Sequence, residues 1–152
     1  MKIVIANDHA GVNLKRAVKD CLIEWGHDVM DIAPVIEGPV DYPPHAIALA
    51  ETVARGEAEL GIFLCGSGIG PGIAANKVPG IRAVTCHDVY SARSSRRDQN
   101  ANVLTMGERV IGIGAALEVL KVWVAEPWSG AERHQRRLDQ IAAAEQRFRT
   151  HG

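Results

Sequence analysis

Five β-rich runs alternate with helical segments along the chain, and no hairpin signal joins any two of them. Neighbouring parallel strands need a crossover, and crossovers are right-handed, so the alternation predicts a parallel sheet with helices on both faces. The runs are residues 2–6 (Lys2-Ile3-Val4-Ile5-Ala6), 28–32, 60–65, 80–85 and 102–106. The first helix is read from Leu14, Ala17, Val18, Cys21, Leu22 and Trp25, which recur at helical spacing and place Cys21 in the core; Gly26 stops it. Residues 33–44 carry Pro34, Pro39, Pro43 and Pro44 and read as a loop that includes Asp41-Tyr42. Further helices are expected from His45 to Arg55, across 73–77, and over 89–98, 115–125 and 131–149. The fold class is therefore α/β: a three-layer α/β/α sandwich on a five-stranded, Rossmann-like parallel sheet, as one domain over residues 1–152.

At 152 residues such a domain buries about two-thirds of the surface that its unfolded chain exposes. A hydrophobic fraction of 47% and a net charge of −1 describe a soluble globular chain with no general attraction to nucleic acid or anionic membrane. No apolar stretch approaches the ~20 residues of a membrane span, and the opening MKIVIANDHAG lacks a signal-cleavage pattern. Cys21, Cys65 and Cys86 are odd in number and lack zinc-type spacing, which points to a reducing, cytoplasmic setting.

Parallel α/β sheets bind ligands beyond the carboxyl ends of their strands. The sequence gathers its polar residues there: Asp8-His9, Cys65 with Gly66-Ser67-Gly68-Ile69-Gly70, Cys86-His87, and Gly107-Glu108-Arg109. Residues 60–77 are the densest of these, a buried strand passing through a tight glycine turn into a helix start. Glycines let main-chain N–H groups converge on a ligand, and the helix end adds positive potential that is expected to lower the Cys65 pKa. A potential base or nucleophile then sits beside donors for a developing oxyanion.

Other chemistries fit less well. The turn is G-x-G-x-G with Pro71 at the third-glycine position of a dinucleotide fingerprint, and it follows the third strand rather than the first. The six histidines are scattered, with no H-x-x-x-H and no carboxylate triad, so no metal or cofactor is expected. A Cys65–His87 protease pair lacks a cleft signal. Two features keep alternative readings. Asp8-His9 is either a helix cap with an incidental histidine or a ligand pair. Arg133 and Arg137, at i and i+4 in Arg133-His134-Gln135-Arg136-Arg137, either clamp a dianion or form a solvated face.

Taken together, Asp8-His9-Ala10-Gly11, Asp41-Tyr42-Pro43, Cys65-Gly66-Ser67-Gly68-Ile69-Gly70, Ala74-Ala75-Asn76-Lys77 with Gly80-Ile81-Arg82, Asn102-Val103-Leu104 and the 133–137 run resemble one family in order along nearly the whole chain. It is the ribose-5-phosphate isomerase B / galactose-6-phosphate isomerase family. The resemblance implies metal-free aldose–ketose isomerisation through a cis-enediolate, in a homodimer or dimer of dimers with shared sites and the C-terminal helix on the partner. It implies Cys65 as the base that moves a proton between C1 and C2. Ser67 and the amides of Gly66, Gly68, Ile69 and Gly70 would cradle the enediolate. Asp8 would hold sugar hydroxyls, Tyr42 would line the pocket, and His9, Arg109, Arg133 and Arg137 would bind phosphate. In a segment resembling H-N-D-A-N-V-L, Asp98 replaces the histidine that opens a furanose ring, with Gln99 and Asn100 following as substrate contacts. Asp98 or His87 then opens the ring, or the substrate needs no opening. The 33–40 stretch, Ala33-Pro34-Val35-Ile36-Glu37-Gly38-Pro39-Val40, also departs from the family pattern. A non-catalytic sugar-phosphate sensor is the alternative from another class.

Overall fold

The computed structural model describes residues 1–33 and 35–149; Pro34, expected in the loop, and residues 150–152 lie outside the described residues. In order, the elements are β1 (Lys2–Asn7), α1 (Val12–Glu24), β2 (Asp28–Asp31), α2 (Tyr42–Ala54), β3 (Leu60–Cys65), α3 (Ile69–Ala75), β4 (Ala83–Thr85), α4 (Val89–Arg97), β5 (Val103–Gly107), α5 (Ile113–Ala125) and α6 (Glu132–Arg149). All strand pairs are parallel, in the order β2-β1-β3-β5-β4. The chain leaves β1 toward β2 and returns across β1 to β3, so the crevice between β1 and β3 is a topological switch point.

Strand side chains alternate between two helical layers. Ile3, Ile5, Leu60, Ile62, Leu64, Leu104 and Met106 pack on α1, α4 and α5. Val4, Ala6, Phe63, Cys65 and Val103 face α2 and α3. The period of two in the sheet thus sets which face each residue joins, and it turns Cys65 toward the α2/α3 side at the top of β3.

Five expectations change. The helix expected across 73–77 runs instead over Ile69–Ala75. The helix expected from His45 begins at Tyr42, because Pro43 and Pro44 stand in its first turn, where their missing N–H groups cost no intrahelical bond. The fourth strand covers only Ala83–Thr85; Gly80 has a φ of +80°, and the Arg82 N–H donates to the Asn102 side chain. Trp25 caps α1 and is exposed rather than core. Cys21 is half-buried and packs against the core's edge.

The last helix stands apart. Its one buried residue is His134, whose ring meets Trp128 edge-on at 6.3 Å. Leu138, Ile141, Ala144 and Phe148 look across a groove of about 800 Å³ toward Pro79, Ile81 and Val84. Ile141 and Phe148 remain exposed. No helix among the described residues is long and apolar enough to cross a membrane.

Candidate active site

A pocket of about 360 Å³ opens over the switch point, lined by Asp8, His9, Tyr42, Cys65, Ser67 and Arg109 together with the glycine turn. Each comes from an element end. Asp8 follows β1, and its N–H donates to the Leu64 carbonyl of β3 at 3.2 Å. The Asp8 carboxylate accepts from the Ala10 N–H at 2.8 Å, which fixes its rotamer at the pocket wall. His9 Nδ1 accepts from the Val40 N–H at 3.2 Å, so a neutral ring carries its proton on Nε2. Tyr42 enters from the first turn of α2 and lies against Gly70, where any Cβ would run into its ring.

Cys65 ends β3 and is 4% exposed. Its Sγ accepts the Gly68 N–H at 2.8 Å, a geometry that Gly68 reaches with a φ of +81°. The expected lowering of the thiol pKa does not hold. Burial pushes the Cys65 thiol above its ordinary value, the Gly68 and Ser67 amides offset part of this, and Asp8 adds to it. The sequence carries the amides but not the depth at which β3 buries its last residue. Ser67 Oγ accepts from the Ile69 N–H at 3.2 Å, so two amides of the turn already face the sulfur and the hydroxyl.

Arg109 stands on the turn after β5. Its N–H donates to the Gly66 carbonyl at 3.1 Å, and its guanidinium covers Gly66, where a Cβ would stand 3.1 Å from Nη1. The preceding Glu108 donates its N–H to the Cys65 carbonyl at 2.7 Å. The sequence marks Glu108 only as one of the polar residues at the strand ends, because its side-chain partners lie on α1, far back in the chain.

The other candidates gather elsewhere. None of Asp98, Gln99, Asn100, Arg133 and Arg137 lines this pocket. Asp98 ends α4 and is saturated by its own chain: Arg97 Nε donates to Oδ1 at 2.9 Å, Ser94 Oγ to Oδ2 at 3.0 Å, and His134 Nε2 lies 3.5 Å from Oδ1. Arg97, chiefly, holds the Asp98 carboxyl down at about 2. Asp98 is therefore an anion at neutral pH and a poor proton donor. His87 Nε2 accepts from the Gly107 N–H at 2.8 Å, and burial lowers its pKa, so it is a neutral main-chain ligand, also outside the pocket. Arg133 and Arg137 are exposed on α6. No group of three or more His, Cys, Asp or Glu residues suited to a metal occurs among the described residues.

A thiol, a carboxylate, an imidazole and a guanidinium around a switch-point crevice define an α/β enzyme for a small, polar, anionic substrate. The chain belongs to the ribose/galactose isomerase family, whose model matches residues 3–141. It is 42% identical to ribose-5-phosphate isomerase B of Escherichia coli, over 96% of this chain and 97% of that protein. It is 45% identical to D-erythrulose-4-phosphate isomerase 2 of Mycolicibacterium smegmatis, over 95% and 97%. Among solved structures, ribose-5-phosphate isomerase B of Clostridium thermocellum superposes with a TM-score of 0.94 at 44% identity, over 97% of this chain and 99% of that one.

Proposed function

We propose that the chain, as a single domain over residues 1–152, interconverts ribose 5-phosphate and ribulose 5-phosphate in the cytoplasm without metal or cofactor. The observation that carries this reading is the Cys65 sulfur on the wall of a pocket shared with Asp8, His9 and Arg109. The minor thiolate form of Cys65, which burial disfavours and the Gly68 and Ser67 amides support, takes the proton from C2 of the open aldose, and the electron pair passes through the C1–C2 bond to the carbonyl oxygen. The resulting enediolate is held by Ser67 and the Gly66–Gly70 turn. The O2 hydroxyl proton passes to O1, and as the C2 carbonyl forms, the thiol delivers a proton to C1 to give the ketose. Asp8 and Tyr42 orient the sugar. His9, through Nε2, and Arg109 bind the phosphate, which is remote from the reacting carbons, so its binding energy keeps the sugar in register.

The remaining ligands come from a second copy. Asp98, Gln99, Asn100, Arg133 and Arg137 have no place in their own chain's pocket, and α6 presents an uncovered apolar stripe beside them. A homodimer, or a dimer of dimers, that covers this stripe brings Arg133 and Arg137 to the partner's phosphate. The charged face of α6 is then the dianion clamp.

Asp98 favours a second substrate reading. A carboxylate saturated by Arg97, Ser94 and His134 has no proton to offer a closed sugar ring. A tetrose 4-phosphate has its O4 esterified and closes no furanose, and the Mycolicibacterium relative is named for such a sugar. An NMR assay of isomerisation across tetrose, pentose and hexose phosphates tests both readings. Efficient conversion of ribose 5-phosphate is the expected result. Conversion of the tetrose alone replaces it with the second reading, and conversion of none overturns both, leaving a binding protein.

A further inference from the structure

We propose that Glu108 is a positioning residue that sets the phosphate-binding reach of Arg109, by tying the turn after β5 to the first turn of α1. Helix α1 opens on Gly11, which offers no side chain to its free N–H groups. Glu108 supplies that cap from across the molecule: Oε2 accepts from the Leu14 N–H at 3.0 Å, and Oε1 accepts from Asn13 Nδ2 at 2.9 Å. A carboxylate near a helix N-terminus is also favoured by the peptide dipoles.

The same residue is anchored through its main chain. Its N–H reaches the Cys65 carbonyl at 2.7 Å, and the next N–H, that of Arg109, reaches the Gly66 carbonyl at 3.1 Å. On the other flank, the Gly107 N–H is held by His87 Nε2 at 2.8 Å. Residues 107–109 are thus pinned to the end of β3 and the glycine after it by two main-chain bonds, to the His87 ring beyond β4, and to α1 by one carboxylate. Among the described residues Arg109 forms no side-chain hydrogen bond or ion pair that would hold its exposed guanidinium over Gly66, so its aim depends on the turn beneath it. Among the described residues, Glu108 is the one side chain of residues 107–109 that ties this turn to a helix.

This inference rests on the reading of Arg109 as a phosphate ligand, and the test separates the two. Steady-state constants for the isomerised sugar phosphate and the affinity for inorganic phosphate by calorimetry are measured for wild type, Glu108→Ala, Arg109→Ala and the double variant. Glu108→Ala is expected to raise KM and weaken phosphate binding roughly tenfold while kcat changes less than about threefold. In the Arg109→Ala background the same change is expected to add nothing, since contacting groups in one network couple. Glu108→Gln keeps an acceptor for the Leu14 N–H and recovers most of the loss, which also covers the case of an alanine variant that does not fold. A merely structural role would lower thermal stability and the active fraction, hence kcat, with KM and phosphate affinity unchanged, and that outcome overturns the proposal. So does a Glu108→Ala effect that persists in full without Arg109. If Arg109→Ala alone leaves phosphate affinity untouched, it is the reading of Arg109 that fails.

Discussion

The two ends of the candidate site differ in how complete they are within one chain. At the switch point, Asp8, His9, Tyr42, Cys65 and Arg109 converge on one pocket, each fixed by main-chain bonds or by close packing. At the α4–α6 corner, Asp98, Gln99, Asn100, Arg133 and Arg137 are just as polar but share no pocket with them. The first group is assembled by the sheet's topology. The second is displayed just past α4 and on α6, next to apolar side chains that no described residue covers. The contrast teaches that one chain gathers the groups proposed for proton transfer around its own crevice, while those proposed to reach a second copy lie apart from it.

The largest effect expected concerns the first region. Cys65→Ala should lower turnover by about three or more orders of magnitude, with affinity for the sugar phosphate nearly unchanged, because only the transition state needs the sulfur. Steady-state kinetics beside calorimetric binding check this, and an active alanine variant removes Cys65 from the base role.

Subunit mixing sharpens the contrast between the regions. If each site takes Cys65 from one copy and Arg137 from the other, Cys65→Ala and Arg137→Ala chains that are each inactive should regain about a quarter of wild-type activity after random reassociation. Half of the mixed population is then heterodimer with one intact site. No recovery, with heterodimers verified by mass spectrometry, places both residues in one chain's site.

The smallest expected effect belongs to the second region. Asp98 has its folded pKa lowered to about 2, so its pairing stabilises the fold above the ordinary carboxylate pKa, and that contribution fades as pH falls toward about 2. Asp98→Asn should therefore lower the melting temperature at pH 6–7 and converge with wild type in strong acid. Thermal melts across that range measure the difference; equal melting temperatures at neutral pH would remove Asp98 from the docking of α6.

Much of the fold was legible because the cues were local. The strand–helix alternation alone sets a parallel sheet with helices on both faces, whereas the layer each side chain of the uniformly apolar Ile3-Val4-Ile5 joins is visible only in the structure. The crossing of β4 past β5 was not legible either, since β4 holds three residues and its partner is chosen by packing. Prolines at 43 and 44 mark a helix start as readily as a loop, and only the observed turn decides between them. In the site, residues bound to a strand end were legible by position. The Cys65 pKa was misjudged because depth of burial outweighs the amides. The role of Glu108 escaped notice because it is written in Asn13 and Leu14, which precede Glu108 by 95 and 94 residues.

In the proposed reaction the Cys65 sulfur moves a carbon-bound hydrogen. Incubating the protein with ribose 5-phosphate in deuterium oxide, and following C2 of the aldose and C1 of the ketose by NMR, reads that event directly. Wild type should place solvent deuterium at both carbons at the rate of isomerisation or faster, and Cys65→Ala should place none. Exchange or isomerisation that survives the loss of the thiol would contradict this proposal.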